Sequence, residues 1–182
     1  MTEYFDVLND KGIITGKKDT RENCHRYGLW HRAVAVFILN DKNEVLLQKR
    51  SRKKKMWPGM WDISAGGHVL AGEMGFQAAI RECYEELGIT IVQSDLLYIG
   101  CAMSTNHMKE IVNNHVNEFY VAKIRDIPSE LRLQGEEVES VKWLDPDVLI
   151  KKIKNNYEGI TEKEGCWDYL VYYLEWASKA RK

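Results

Sequence analysis

Proline is scarce in this chain, at three residues in 182, and no lysine falls between Glu73 and Glu86. The first scarcity, with no repeat and no low-complexity tract, excludes a Pro-rich linker or a solenoid array. The second turns out to be the more informative. Cysteine is also sparse. Cys24, Cys83, Cys101 and Cys166 form no C-x-x-C pair, which argues against a disulfide scaffold or a zinc ribbon and for reduced thiols in the cytoplasm. No apolar run approaches the ~20 residues of a membrane helix, and the polar start, "MTEYFDVLND", lacks a signal core. No charge of one sign dominates, since 26 basic residues face 27 acidic ones. A chain so balanced is a poor candidate for nucleic-acid binding. Its length suits one domain spanning 1–182.

What is present is a mixed pattern of strands and helices. "YFDVLNDKGIITG" (4–16) reads as a hairpin, and residues 17–30 as a connection. "AVAVFIL" (33–39) is a buried strand, followed by a turn at 41–43 and a partner strand at 44–49. Further strands are expected at 96–103, 112–124 and 138–143. Asp145 and Pro146 then cap a short helix, and Trp167, Leu170, Val171, Leu174 and Ala177 mark a terminal one.

The remaining helix carries the chemistry. Phe76, Ile80, Cys83 and Leu87 recur at helical spacing, and Gly88 closes the run. Glu82, Glu85 and Glu86 cluster beside that stripe rather than opposite it. Like charges at this spacing repel. A solvated face would interleave lysines, and here Arg81 is the single base. Crowded carboxylates suit a hard cation such as Mg²⁺ or Mn²⁺.

Gly67, five residues, Glu73, seven residues, then Arg81-Glu82-Cys83-Tyr84-Glu85-Glu86-Leu87-Gly88-Ile89 resembles the Nudix box, with Cys83 at an aliphatic position as its one departure. The box covers residues 67–89. The resemblance implies an α/β/α sandwich around a mixed sheet, here with an N-terminal hairpin extension in residues 1–30. It also implies hydrolysis of a diphosphate bond in a nucleoside or other diphosphate derivative, with Mg²⁺ or Mn²⁺. Carried over by position, Glu85 and Glu86 are metal ligands, and Glu82 is a ligand or the general base. Glu73 and Arg81 hold the loop and helix in register, and the Gly66–Gly67 backbone approaches the metal. Glu118, on a later strand, is the alternative base or a further ligand.

The stretch from Leu29 to Glu73 is also similar to isopentenyl-diphosphate isomerase, a Nudix relative with a catalytic cysteine in W-x4-C-G-H. Here Gly66 stands at the cysteine position and His68 at the histidine one. The missing thiol and the complete box both point to hydrolysis, with the isomerase and a non-catalytic nucleotide binder as alternatives. His25, His31 and His68 lie roughly where isomerase relatives bind a second metal, with His25 one residue out of spacing. The active protein is expected to carry no stoichiometric metal there. His107 and His115 read as surface or satisfied core residues. Of the basic run Lys49–Lys55, Arg50 is the candidate for the substrate phosphate and the rest read as a solvated loop. Trp57 and Trp61 read more readily as packing than as stacking platforms. The implied partner is a small diphosphate compound, bound by a monomer or homodimer.

Overall fold

The computed structural model describes residues 2–108, 111–128, 130–155, 158–161 and 165–179. A two-stranded antiparallel hairpin opens the chain, β1 (Tyr4–Leu8) with β2 (Ile14–Thr20). Residues 21–27, expected as connection, form the helix α1 (Arg21–Tyr27). The local signals were there. Thr20 caps it by accepting from Asn23 N at 3.2 Å, and Gly28 closes it at φ 62°. Seven residues without an apolar stripe are too short to announce a helix by periodicity.

The main sheet holds seven strands: β3 (His31–Leu39), β4 (Val45–Arg50), β5 (Trp61–Asp62), β6 (Ala65–His68), β7 (Leu96–Met108), β8 (Ile111–Lys123) and β9 (Val138–Leu144). The sheet is mixed. β3 and β8 run parallel, in register from His31↔His115 to Leu39↔Lys123, and the other pairings are antiparallel. The pair β3–β4 holds only at Leu39↔Val45, while β6 pairs with β3 and both β5 and β9 pair with β4. That divergence opens the middle of the sheet.

The helices complete an α/β/α sandwich. α2 (Gly75–Leu87) covers one face, where Val34, Val36 and Ile38 meet Ala78, Ala79, Cys83 and Leu87. α3 (Pro146–Lys154) and α4 (Cys166–Lys179) cover the other, where Ala35, Phe37 and Leu39 meet Leu149, Trp167, Leu170 and Leu174. Burial of both faces of β3 explains its unbroken apolar run. On α2 the two alanines, rather than Phe76 and Ile80, are fully buried, so small side chains let the acidic helix lie close to the sheet. Asp145 caps α3 and Pro146 fills its first position. Among the described residues no helix is long and apolar enough to cross a membrane.

Candidate active site

Arg81 answers how α2 tolerates its glutamates. Its Nε and Nη2 donate to the two oxygens of Glu73, each at 3.0 Å, and Nη2 also donates to His68 O at 2.9 Å. Its Nη1 serves Glu82 at 2.7 Å and Glu85 at 3.2 Å. Glu73 in turn accepts from Leu70 N at 2.9 Å. One guanidinium therefore joins the loop before the helix to three carboxylates, which the rigid fork of arginine allows.

The two glycines serve different neighbours. A Cβ on Gly67 would lie 2.2 Å from Glu82 Oε1, so the missing side chain is the space that carboxylate occupies. A Cβ on Gly66 would lie 2.5 Å from the Val34 carbonyl oxygen. Gly66 N donates to Glu86 Oε2 at 3.2 Å, and Gln48 Nε2 donates to the same oxygen at 3.1 Å. Gln48 is buried and its Oε1 has no partner. Sequence reasoning passed over it, although a glutamine inside "VLLQK" is the one polar residue in a buried strand core. Burial raises the Glu82 carboxyl above its ordinary value, with Arg81 opposing. Glu85 is half exposed and Glu86 is 5% exposed.

All three glutamates line a cavity of about 620 Å³, with Gly66, Gly67 and Arg81. Arg50 lines it too, held by Asp62 Oδ2 at 3.0 Å and by the Met56 carbonyl at 3.1 Å. The rest of the basic run is not simply solvated. Lys49 pairs with Glu139 at 2.8 Å, Lys53 with Glu136 at 2.6 Å, and Lys54 with Glu137, while Lys53, Lys54 and Lys55 border the cavity. Trp57 borders it as well, whereas Trp61 packs beneath Lys142, whose Nζ lies 3.7 Å from the ring centre.

Glu118 stands elsewhere. Side chains alternate along β8, so Asn113, His115, Asn117 and Phe119 reach the cavity and Glu118 does not. Its carboxylate accepts from Tyr120 at 2.6 Å, faces Arg32 at 3.6 Å, and fills the space where Gly75 lacks a side chain. It braces the start of α2.

The histidines converge. One ring nitrogen each of His25, His31, His68 and His115 lies within 4.8 Å of all the others. His115, read from the sequence as surface or core, is the fourth member because the parallel register sets it opposite His31. His107 is exposed. Phe5 from the hairpin stacks on His31 and His68, with ring centres at 5.0 and 4.7 Å. Nδ1 of His31 bonds the Leu29 carbonyl at 2.7 Å, leaving a buried Nε2 without a partner. Burial lowers His25, pushes His31 down to about 4, and takes His68 well below its ordinary value. Neutral imidazoles result, which is the form that binds metal.

Residues 29–163 match the NUDIX domain family. The chain belongs to the Nudix family. It is 39% identical over 147 residues to Nudix hydrolase 3 of Arabidopsis thaliana, covering 78% of this chain but only 19% of that longer protein. It is 31% identical over 152 residues to an isopentenyl-diphosphate Delta-isomerase of Escherichia coli, covering 84% and 82% of the two chains. Its fold matches a crystal structure from Deinococcus radiodurans with a TM-score of 0.68 at 19% identity, over 95% and 98% of the chains. Against the isomerase likeness, this Nudix protein has no thiol at position 66 and no room for one as packed. Cys83 is buried in the core, and Cys166 is the one cysteine bordering the cavity.

Proposed function

We propose that this Nudix protein hydrolyses the diphosphate bond of a small nucleoside or other diphosphate derivative with Mg²⁺ or Mn²⁺, in the cytoplasm. The observation that carries the reading is the meeting, around one cavity, of Glu82, Glu85 and Glu86 with Arg50 and Lys53–Lys55. Carboxylate oxygens fit a hard cation. Glu85 and Glu86, with the Gly66 backbone beside them, would hold it. When bound, such a cation neutralises phosphoryl charge and makes water a better nucleophile. Glu82, buried and raised in pKa, takes the proton of the attacking water. Gly66 N and Gln48 Nε2 orient Glu86. Arg81 keeps Glu82 and Glu85 in place, and Arg50 with the bordering lysines receives the phosphates. Screening diphosphate compounds with each metal, and identifying both products, tests the proposal. Turnover must vanish with chelator, and binding without turnover would make the protein a sensor.

A second donor set favours a further metal. Four imidazoles suit Zn²⁺ and its neighbours rather than Mg²⁺. The His25–His68 separation of 3.2 Å is close to the ~3.3 Å nitrogen–nitrogen edge of a tetrahedral zinc site. The expectation of no metal rested on the spacing of His25, the complete box and the missing cysteine, and the fourth imidazole is the observation that favours a metal instead.

A further inference from the structure

The cavity also has a neutral polar wall. The wall from β7 and β8 presents Ser104, Asn106, Asn113 and Asn117, neutral polar groups that neither bind a cation nor hold a phosphate strongly. Asn117 Nδ2 donates to Ser104 Oγ at 2.9 Å. Asn113 is left short. It is 8% exposed, its Nδ2 reaches only Met56 Sδ at 3.2 Å, and its Oδ1 is buried without a partner. Sulfur is a weak acceptor, so the arrangement spends the donor end of the amide poorly and leaves the acceptor end buried without a partner. An uncompensated buried acceptor destabilises the free protein, and a ligand N–H aimed at it recovers that loss.

Asn113 faces Asn106 across the strand pair, and flat and apolar residues line the same cavity. Ile111 precedes it by two residues along β8, and Met56 and Trp57 border the cavity from the loop after β4. Trp57 has φ 49°, unusual for a bulky side chain, and such backbone positions collect at ligand clamps. Hydrogen bonds fix the loop in this form: Arg50 Nε to Met56 O at 3.1 Å, Gly59 N to Arg50 O at 3.1 Å, and Met60 N to Trp57 O at 3.3 Å. An unpartnered acceptor with Met56 beside it, in a cavity that Trp57 and Ile111 also line, matches a planar heterocycle carrying an amino group. A prenyl chain would bury the amides with nothing to bond. A sugar would set its hydroxyls against Met56, Trp57 and Ile111.

We propose that this end of the cavity is a slot for an amino-bearing nucleobase, read by Asn113 Oδ1 with Met56 and Trp57 against the ring. Cytosine and adenine present an amino group where uracil and hypoxanthine present a carbonyl, and a carbonyl meets the Asn113 oxygen unfavourably. The slot rests on the diphosphate reading for the other half of the ligand.

Binding tests it apart from catalysis. Calorimetric titration in EDTA with CDP, UDP, ADP and IDP should favour CDP over UDP and ADP over IDP by about tenfold or more. Asn113→Leu should bring each pair within about twofold, and Asn113→Ser, which shortens the reach if leucine does not fit, should do the same. Asn113→Asp keeps an acceptor oxygen and should keep the preference. Trp57→Ala should weaken all four by about tenfold, the loss of one stacking face. Equal affinity for amino and carbonyl bases, no nucleotide binding, or tighter binding of a prenyl diphosphate would each overturn the slot. So would an unchanged preference in folded Asn113→Leu. Failure of the hydrolase reading shows separately, as no diphosphate turned over with Mg²⁺ or Mn²⁺, and leaves these ratios readable.

Discussion

Gly66 and Gly67 are neighbours with opposite consequences. At Gly67 the obstacle to a side chain is the end of Glu82, which can swing aside. Gly67→Ala should therefore fold with a small change in stability and lose most of its turnover. At Gly66 the obstacle is the backbone oxygen of Val34. Gly66→Ala should destabilise the protein by about 1–3 kcal/mol, the usual cost of overpacking. Urea melts and kinetics on the two variants separate these outcomes, and equal stability losses would contradict the packing argument. The glutamates behave differently again. Glu85→Gln and Glu86→Gln should each weaken metal binding and cut turnover by orders of magnitude with the fold intact. Glu82→Gln should lose at least ~10²-fold as base or ligand. Near-wild-type turnover in all three would remove the hydrolase assignment. The roles proposed for Glu82, Glu85, Glu86, Arg81 and Glu73 are written in the spacing of the chain, because a box fixed by helical repeat is local. Glu118 was not legible in that way. Its face of β8 depends on the register against β3, which no local pattern carries.

Each histidine of the tetrad comes from a different element: His25 from α1, His31 from β3, His68 from β6 and His115 from β8. The hairpin closes over them through Phe5, and it is tied to the box loop by Ala71 N to Tyr4 O and Gly72 N to Asp6 Oδ2, each at 2.8 Å. Protein purified without a histidine tag should hold about one transition-metal ion per chain by elemental analysis. That ion should be lost in His31→Ala and His115→Ala, and metal-free wild type would refute the assignment. The metal-free protein makes a second prediction. The folded histidine pKa values lie below the unfolded value of 6.5. As pH falls below about 6.5, the unfolded chain takes up protons that the folded cluster refuses, so stability must fall toward pH 4. Denaturation in EDTA at pH 7.5 and pH 5 measures it. Replacing His31 by leucine should flatten the slope.

At the scale of the molecule, the packing around position 66 argues for hydrolysis over isomerisation. β3 and β4 diverge after Leu39↔Val45, and the opening is shared by the carboxylates, the basic loop and three of the four histidines, His25, His68 and His115. The isomerase's thiol position is filled by packing instead. Isopentenyl diphosphate should therefore not be converted to its isomer, and proton NMR showing dimethylallyl diphosphate at an enzyme-like rate would reverse the conclusion. The chain alone determined the mixed α and β class, most strand positions, and the box with its carboxylates, because each rests on a short-range period or spacing. It also determined the absence of a cysteine at position 66. Only the tertiary structure decided that Glu118 braces α2, that Gln48 holds Glu86, that His115 completes a tetrad, and that Asn113 faces the cavity. Those four depend on strand register and on which face of a twice-buried sheet a side chain takes, and that choice is made by pairings between residues far apart in sequence.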